Sequence, residues 1–212
     1  MIENALQFSH TLLAEVLTDH DHVVDATMGN GNDTVFLANK VQPHGKVYAF
    51  DVQKQALDKT KQRLLEDGLT EQTKIIFDGH ENLKNYLAEN EPIKAGIFNL
   101  GYLPKSDKQL ITTPTTTKQA LETLLNHLVS KGRILLVSYY GHAGGKEELT
   151  MLDNYCQKLP QEQYNVLRYQ FINQKNRPPI LFCIEKNVTI IFLKSSSFYN
   201  GSILLFLKSI IL

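Results

Sequence analysis

At 212 residues, with 42% apolar and 21% charged side chains, the chain is expected to fold as one globular domain with a substantial core. Lysine plus arginine (22) balances aspartate plus glutamate (22), which speaks against a polymer-coating protein but not against an enzyme that grips one loop of RNA through a local patch. Cys156 and Cys183 form no Cys-x-x-Cys pair, so they read as small apolar residues in a reducing cytoplasm, and no metal site is expected. The start, Met1-Ile-Glu-Asn-Ala-Leu6, has no basic region before an apolar core; a signal peptide is not expected, and the location is expected to be cytoplasmic.

Residues Asn4 to Leu17 have the spacing of an amphipathic helix, with Leu6, Leu13, Val16 and Leu17 near one face. His22-Val-Val-Asp25 then reads as a strand, and Val35 to Val41 as a helix, with Ala26-Thr-Met-Gly-Asn-Gly-Asn-Asp-Thr34 between them. Strand, glycine turn and helix in this order open a nucleotide-binding βαβ unit. Gly29 and Gly31 let a ligand lie directly on the backbone, although ordinary turns use glycine too. The next strand, Lys46 to Asp51, ends in a carboxylate 20 positions after Gly31, where it can accept both hydroxyls of an adenosine ribose.

The loop lacks the third glycine of a dinucleotide site. Asn32, Asp33 and Thr34 stand there instead, with side chains suited to capping the helix amides that would otherwise hold a pyrophosphate. Asp25 and Asp33 would repel phosphate and tolerate a cation. S-adenosylmethionine, with an adenosine, a sulfonium and no phosphate, fits this loop; a plain structural turn or an NAD site is the alternative.

Gln53 to Glu66 reads as a helix closed by Gly68, and Lys74 to Phe77 as a third strand. Asp78, Gly79 and His80 follow it, placed to read an adenine; a helix cap with a solvated histidine, using Asn82, is the competing reading. A short helix is expected over Glu81 to Glu89 and a fourth strand over Ile93 to Asn99. Reactive groups of open α/β sheets gather at strand carboxyl ends, so Asn99, Gly101 and Tyr102 would lie beside the transferable methyl, unless this is only a strand end and turn. Lys105 to Thr117 is expected as a loop and Lys118 to Leu128 as a helix.

A fifth strand, Lys131 to Tyr139, delivers Tyr139, Tyr140 and His142 to the same rim, where two aromatics and a histidine could stack a splayed base. The glycines after them could equally be a turn before the helix Lys146 to Leu159. Gln163 to Asn173 and Ile180 to Glu185 are expected to close the sheet as an antiparallel pair around the loop Asn173 to Pro179. The domain is expected to span 1–186. The remainder, 187–212, is an apolar tail whose runs, broken by Lys194 and Lys208, fall short of the ~20 residues that span a bilayer.

Taken together, Asp25-Ala-Thr-Met-Gly-Asn-Gly-Asn-Asp-Thr34, Asp51-Val-Gln53, Asp78-Gly-His80, Asn99-Leu-Gly-Tyr-Leu-Pro104 and Asn176-Arg-Pro-Pro179 resemble a family first labelled rRNA methylases in Gram-positive bacteria. That family is now associated with methylation of wobble 5-aminomethyl-2-thiouridine in tRNA, and the likeness covers about residues 1 to 186. It implies a Rossmann-like class I methyltransferase: a seven-stranded, mostly parallel sheet with an antiparallel last strand and helices on both faces. It also implies S-adenosylmethionine contacts at Asn30, Asn32, Asp51, Gln53 and His80. The implied substrate is the tRNA anticodon arm; a second copy in a homodimer is left open, and no membrane partner is expected.

On this reading Asn99 and the Leu100 carbonyl orient the attacking amine. Tyr102, Tyr139, His142 or water takes its proton, with His142 favoured because histidine titrates nearest neutrality. Lys105, Lys108, Lys118, Arg168, Lys175 and Arg177 are the phosphate-contact candidates, against ordinary solvated surface. Methylation of rRNA, another RNA site or a small molecule is the alternative, and a non-catalytic binding protein on the same fold is the third.

Overall fold

The computed structural model describes residues 1–101, 111–188, 190–194 and 207–211. The chain runs α1 (Ala5–Ala14), β1 (His22–Asp25), α2 (Asn32–Val41), β2 (Lys46–Asp51), α3 (Lys54–Glu66), β3 (Thr73–Phe77), a 3₁₀ turn (His80–Asn85) and β4 (Ile93–Leu100). It continues with α4 (Pro114–His127), β5 (Leu128–Ser138), α5 (Gly145–Cys156), β6 (Tyr164–Tyr169), β7 (Ile180–Lys186), β8 (Ile190–Lys194) and β9 (Leu207–Ile211). Seven strands form one sheet in the order β3-β2-β1-β4-β5-β7-β6, in which β7 runs antiparallel to both its neighbours. This is the expected doubly wound fold. The strands β8 and β9 pair with each other in a separate two-stranded sheet.

The central strands are apolar on both faces because both are covered. Side chains alternate: Val24, Phe98, Ile134 and Leu136 meet α4 and α5 through Leu121, Leu124 and Leu152. Val23, Ile97, Leu135 and Val137 meet α1, α2 and α3 through Leu13, Leu37 and Leu64. Arg133 ties α1 to the sheet edge, donating to the Leu12 carbonyl and to Glu15 and Glu185.

Several boundaries differ from the sequence reading, among them β5, which starts at Leu128 rather than Lys131, and α5, which ends at Cys156 rather than Leu159. Pro114, read as part of a loop, is the first residue of α4; proline's fixed φ suits that position, and Thr113 with Thr116 forms a capping box around it. The stretch read as a helix over Glu81 to Glu89 is the 3₁₀ turn, and β6 ends at Tyr169, short of Asn173. Among the described residues no helix is long and apolar enough to cross a membrane.

Because β1 sends its chain to β2 on one side and pairs with β4 on the other, strand order reverses between them. The carboxyl ends of β1, β2, β3, β4 and β5 open there onto a single cleft, the position at which open α/β sheets bind ligands.

Candidate active site

The cleft encloses about 880 Å³, a volume suited to one nucleoside-sized ligand. Its floor is the turn after β1. Ala26 donates to the Ile97 carbonyl and Met28 to the Phe50 carbonyl, so the turn is stitched to both neighbouring strands. Gly29 and Gly31 adopt φ of +52° and +79°, the left-handed region where glycine carries no Cβ penalty. A Cβ on Gly31 would lie 2.7 Å from Thr60 Oγ1, so here α3 packs directly on the backbone. Arg63 of α3 completes the clamp, donating to the Asn30 carbonyl and to Asn32 Oδ1, each at 2.7 Å.

Asp51 stands at the end of β2. Its Oδ2 accepts from Gly29 N–H at 2.9 Å and its Oδ1 from Gln53 N–H at 2.8 Å, which aims the carboxylate and leaves further lone pairs for a ligand hydroxyl. Burial raises its pKa against these hydrogen bonds. Asp78 is spent locally: it accepts from Asn82, Tyr86 and the Gly79 amide, and the Asn82 bond above all holds its pKa down. Neither half of the competing reading describes the turn: its N-cap, Gly79, has no side-chain cap bond, Asn82 donates to Asp78 instead, and the histidine is not solvated. His80 is buried, and its Nδ1–H donates to the Ala26 carbonyl at 3.0 Å. Burial lowers its pKa, so the ring is neutral and its buried Nε2 is an acceptor with no protein donor among the described residues.

On the opposite wall the β4 end presents Asn99. Its backbone N–H donates to Thr27 Oγ1 at 2.7 Å, its Nδ2 donates to Asp33 Oδ2, and its buried Oδ1 has no protein donor among the described residues. Gly101 follows, and a Cβ there would touch Tyr139 and come within 3.6 Å of His142 Nε2. The His142 Nδ1–H faces the Ala143 carbonyl at 2.8 Å. Burial first, then the negative charge of Asp33, raises the Tyr139 pKa, so this phenol stays protonated near neutrality. Glu148, buried beneath, accepts from Thr112 and Thr117 and fastens the α4 start, with lining residues Thr112 and Thr113, to α5.

Of the residues singled out from the sequence, Gly29, Asn30, Asn32, Asp51, Gln53, Asp78, His80, Asn99, Tyr139, His142 and Arg177 line this one cleft. Three others do not. Asp25 is fully buried under the turn, where Thr34 Oγ1 donates to it at 2.6 Å. Gly31 serves as the α2 N-cap, and Tyr140, just past the end of β5, packs against the core. Tyr102, Lys105 and Lys108 lie outside the described residues. Arg168 is paired with Asp153 at 3.1 Å, and Lys118 with Glu122 at 3.7 Å.

The capping expected of Asn32, Asp33 and Thr34 is absent. The α2 N-cap has no side-chain bond, because Asn32 is held by Arg63, Asp33 by His10 and Asn99, and Thr34 by Asp25. Discrimination against phosphate therefore falls to charge. Among the described lining residues the acids are Asp33, Asp51, Asp78 and Glu81, and the only lysine or arginine is Arg177. The contributions of Thr27, His10 and Arg63 were missed because each acts through a partner distant in the chain.

An acid-lined cleft at the switch point, with spare acceptors on Asp51 and His80 for an adenosine, fits S-adenosylmethionine and defines a class I methyltransferase. Comparison with known proteins agrees. The family described as "Putative rRNA methylase" matches residues 47–185. A curated Arabidopsis thaliana protein, tRNA (mnm(5)s(2)U34)-methyltransferase, chloroplastic, is 33% identical over 193 residues, 87% of this chain and 70% of that one. Among solved structures, a Clostridium thermocellum protein described as a "putative rRNA-methylase" is 44% identical with a TM-score of 0.85. A methyltransferase from Streptococcus mutans, in complex with SAH, is 43% identical with a TM-score of 0.80; both comparisons cover 88% of this chain and 99% of the other. The chain belongs to this family of S-adenosylmethionine-dependent methyltransferases.

Proposed function

We propose that the chain N-methylates the aminomethyl group of 5-aminomethyl-2-thiouridine at the tRNA wobble position, giving 5-methylaminomethyl-2-thiouridine, in the cytoplasm. The observation that carries this reading is Asn99 Oδ1, a buried acceptor with no protein donor among the described residues, at the rim where the methyl acceptor must sit. The name of the Arabidopsis relative supports the same substrate.

S-adenosylmethionine supplies an electrophilic methyl group on a positively charged sulfur. Asp51 and the Gly29 turn would hold the adenosine end, with the neutral His80 as a further acceptor. Asn99 Oδ1 would take one N–H of the amine and so orient its lone pair, and such alignment of the two reactants can supply much of the rate. The amine reaches the cleft largely protonated and must lose a proton, which His142 accepts while the neutral Tyr139 walls the base. Arg177, left-handed at φ +48° on the lip, and Lys175 in the same loop meet the RNA backbone.

Nucleoside mass spectrometry of tRNA from a deletion strain tests this. Accumulated 5-aminomethyl-2-thiouridine is the expected result, and an unchanged wobble nucleoside with a missing methyl in rRNA would replace it by the rRNA reading.

A further inference from the structure

We propose that Asp33 and His10 are positioning residues that decide which end of the Asn99 amide faces the cleft, and so restrict the methyl acceptor to a nitrogen that carries N–H. The inference rests on the amine-methylation reading and adds the device that enforces it.

An asparagine amide has two ends of nearly equal shape and opposite hydrogen-bond sense, so its orientation is set by its neighbours. Here the neighbour is Asp33, an acceptor at both oxygens. It takes Asn99 Nδ2 on Oδ2 and faces His10 Nε2 at 2.6 Å on Oδ1. The amide must therefore turn its nitrogen to Asp33 and its oxygen away, which leaves Oδ1 as the buried acceptor. The Thr27 hydroxyl accepts from the Asn99 backbone N–H and fixes the main chain from which the amide projects. His10 is fixed in turn, its ring stacked on Phe36 with centroids 4.0 Å apart and planes 8° from parallel.

Three elements thus make one chain of contacts: α1 through His10, the first turn of α2 through Asp33, and the end of β4 through Asn99. Its polarity has a chemical consequence. An outward oxygen welcomes an amine N–H and opposes a carbonyl oxygen or a ring nitrogen that bears only a lone pair, because two acceptors would then be buried against each other. The leading helix, which by its sequence pattern alone is a packing element, supplies the outermost link.

Two measurements on the full chain test this independently. In the ligand-free ¹⁵N-labelled protein, the Asn99 side-chain amide, assigned by its loss in Asn99→Asp, is expected downfield and protected from solvent exchange. It should move toward the position of a free amide in Asp33→Asn and partly so in His10→Ala, with His10→Gln, whose amide nitrogen can replace Nε2, recovering the wild-type position. An Asn99 amide that does not respond to Asp33→Asn overturns the proposal, whatever the activity.

In turnover assays with tRNA carrying the wobble amine, Asp33→Asn is expected to lower kcat about 10- to 100-fold while adenosylhomocysteine affinity stays within about threefold. The double swap Asp33→Asn with Asn99→Asp restores the contact and an outward oxygen, and should regain about tenfold over Asp33→Asn. Parallel loss of kcat and cofactor affinity, or no gain from the swap, would mean that Asp33 only builds the pocket. A wild-type protein that leaves the aminomethyl tRNA unmethylated while the amide responds as expected would overturn the substrate reading and leave the positioning role standing.

Discussion

Asp25 shows how much a single side chain invests in the cleft without touching its contents. Burial first, then the charge of Asp33 and of Asp51, pushes its pKa up to about 8 from an ordinary value of 3.8. The folded chain thus holds a proton that the unfolded chain gives up, so the Asp25 contribution to stability is full below about pH 4 and is lost as pH rises toward 8. Asp25→Asn keeps the shape and removes the titration. Calorimetry should show the variant gaining Tm relative to wild type more at pH 8 than at pH 5; an equal difference at both would contradict the assignment.

Gly31 and Gly68 give a second comparison. Both are left-handed, at φ +79° and +68°, but a Cβ at Gly31 strikes Thr60 while one at Gly68 meets nothing within 4 Å. Gly68→Ala should cost about 1 kcal/mol and Gly31→Ala roughly 2–4 kcal/mol in denaturant unfolding. Equal costs would show that Thr60 moves aside.

The glycine turn and Asp51 were legible in the sequence because they belong to one local βαβ pattern. Asp33 was legible as a charge and was read wrongly as a helix cap: its partners His10 and Asn99 stand 23 and 66 positions away, and nothing in local spacing reports them. Tyr140 was misplaced for a simpler reason. The expected fifth strand ran to Tyr139, but β5 ends at Ser138, and of the two tyrosines that follow only Tyr139 lines the cleft while Tyr140 packs on the core.

Between elements, the joint that matters most to the site is the one between α4 and α5. Glu148 of α5 receives the Thr112 hydroxyl at 2.8 Å and the Thr117 hydroxyl at 2.6 Å, and Thr112, Thr113 and Thr116 form one side of the cleft. Glu148→Ala strands two hydroxyls and should cost about 1–3 kcal/mol of stability, read by urea unfolding, with faster amide exchange across the first turn of α4. Unfolding midpoints matching wild type would show that the threonines find other partners. The start of α4 escaped the sequence reading because Pro114 is a loop signal and a first-turn signal alike; the Thr113–Thr116 capping box resolves which. The strands were read more surely, since a buried parallel strand is a near-continuous apolar run and little else resembles it.

The molecule as a whole reads its substrate by local rather than global charge. With 22 cations against 22 anions there is no overall pull on RNA, and the acids of the cleft would repel it. On the proposed RNA reading, phosphate contact falls to the rim, where Arg177 stands. Arg177→Ala is expected to weaken tRNA binding and to lower the slope of log affinity against log salt by about 1. A salt response identical to wild type would remove Arg177 from the RNA contact. The doubly wound order was legible because alternating strands and helices leave few ways to pack a parallel sheet, and the family resemblance specified which. We place the methyltransferase domain at 1–186: the seven-stranded sheet and the cleft lie within it, and β8 pairs only with β9 among the described strands. A chain cut after Val188 should keep its Tm and its adenosylhomocysteine affinity, and loss of either would make the last segment part of the domain.

The most direct test follows the methyl group itself. Purified protein is given S-adenosylmethionine labelled in that methyl, with total RNA from the deletion strain as acceptor. Label recovered in 5-methylaminomethyl-2-thiouridine from tRNA is the predicted result; label confined to an rRNA nucleoside, or to a ring carbon or hydroxyl of any RNA, would contradict an amine acceptor held by Asn99.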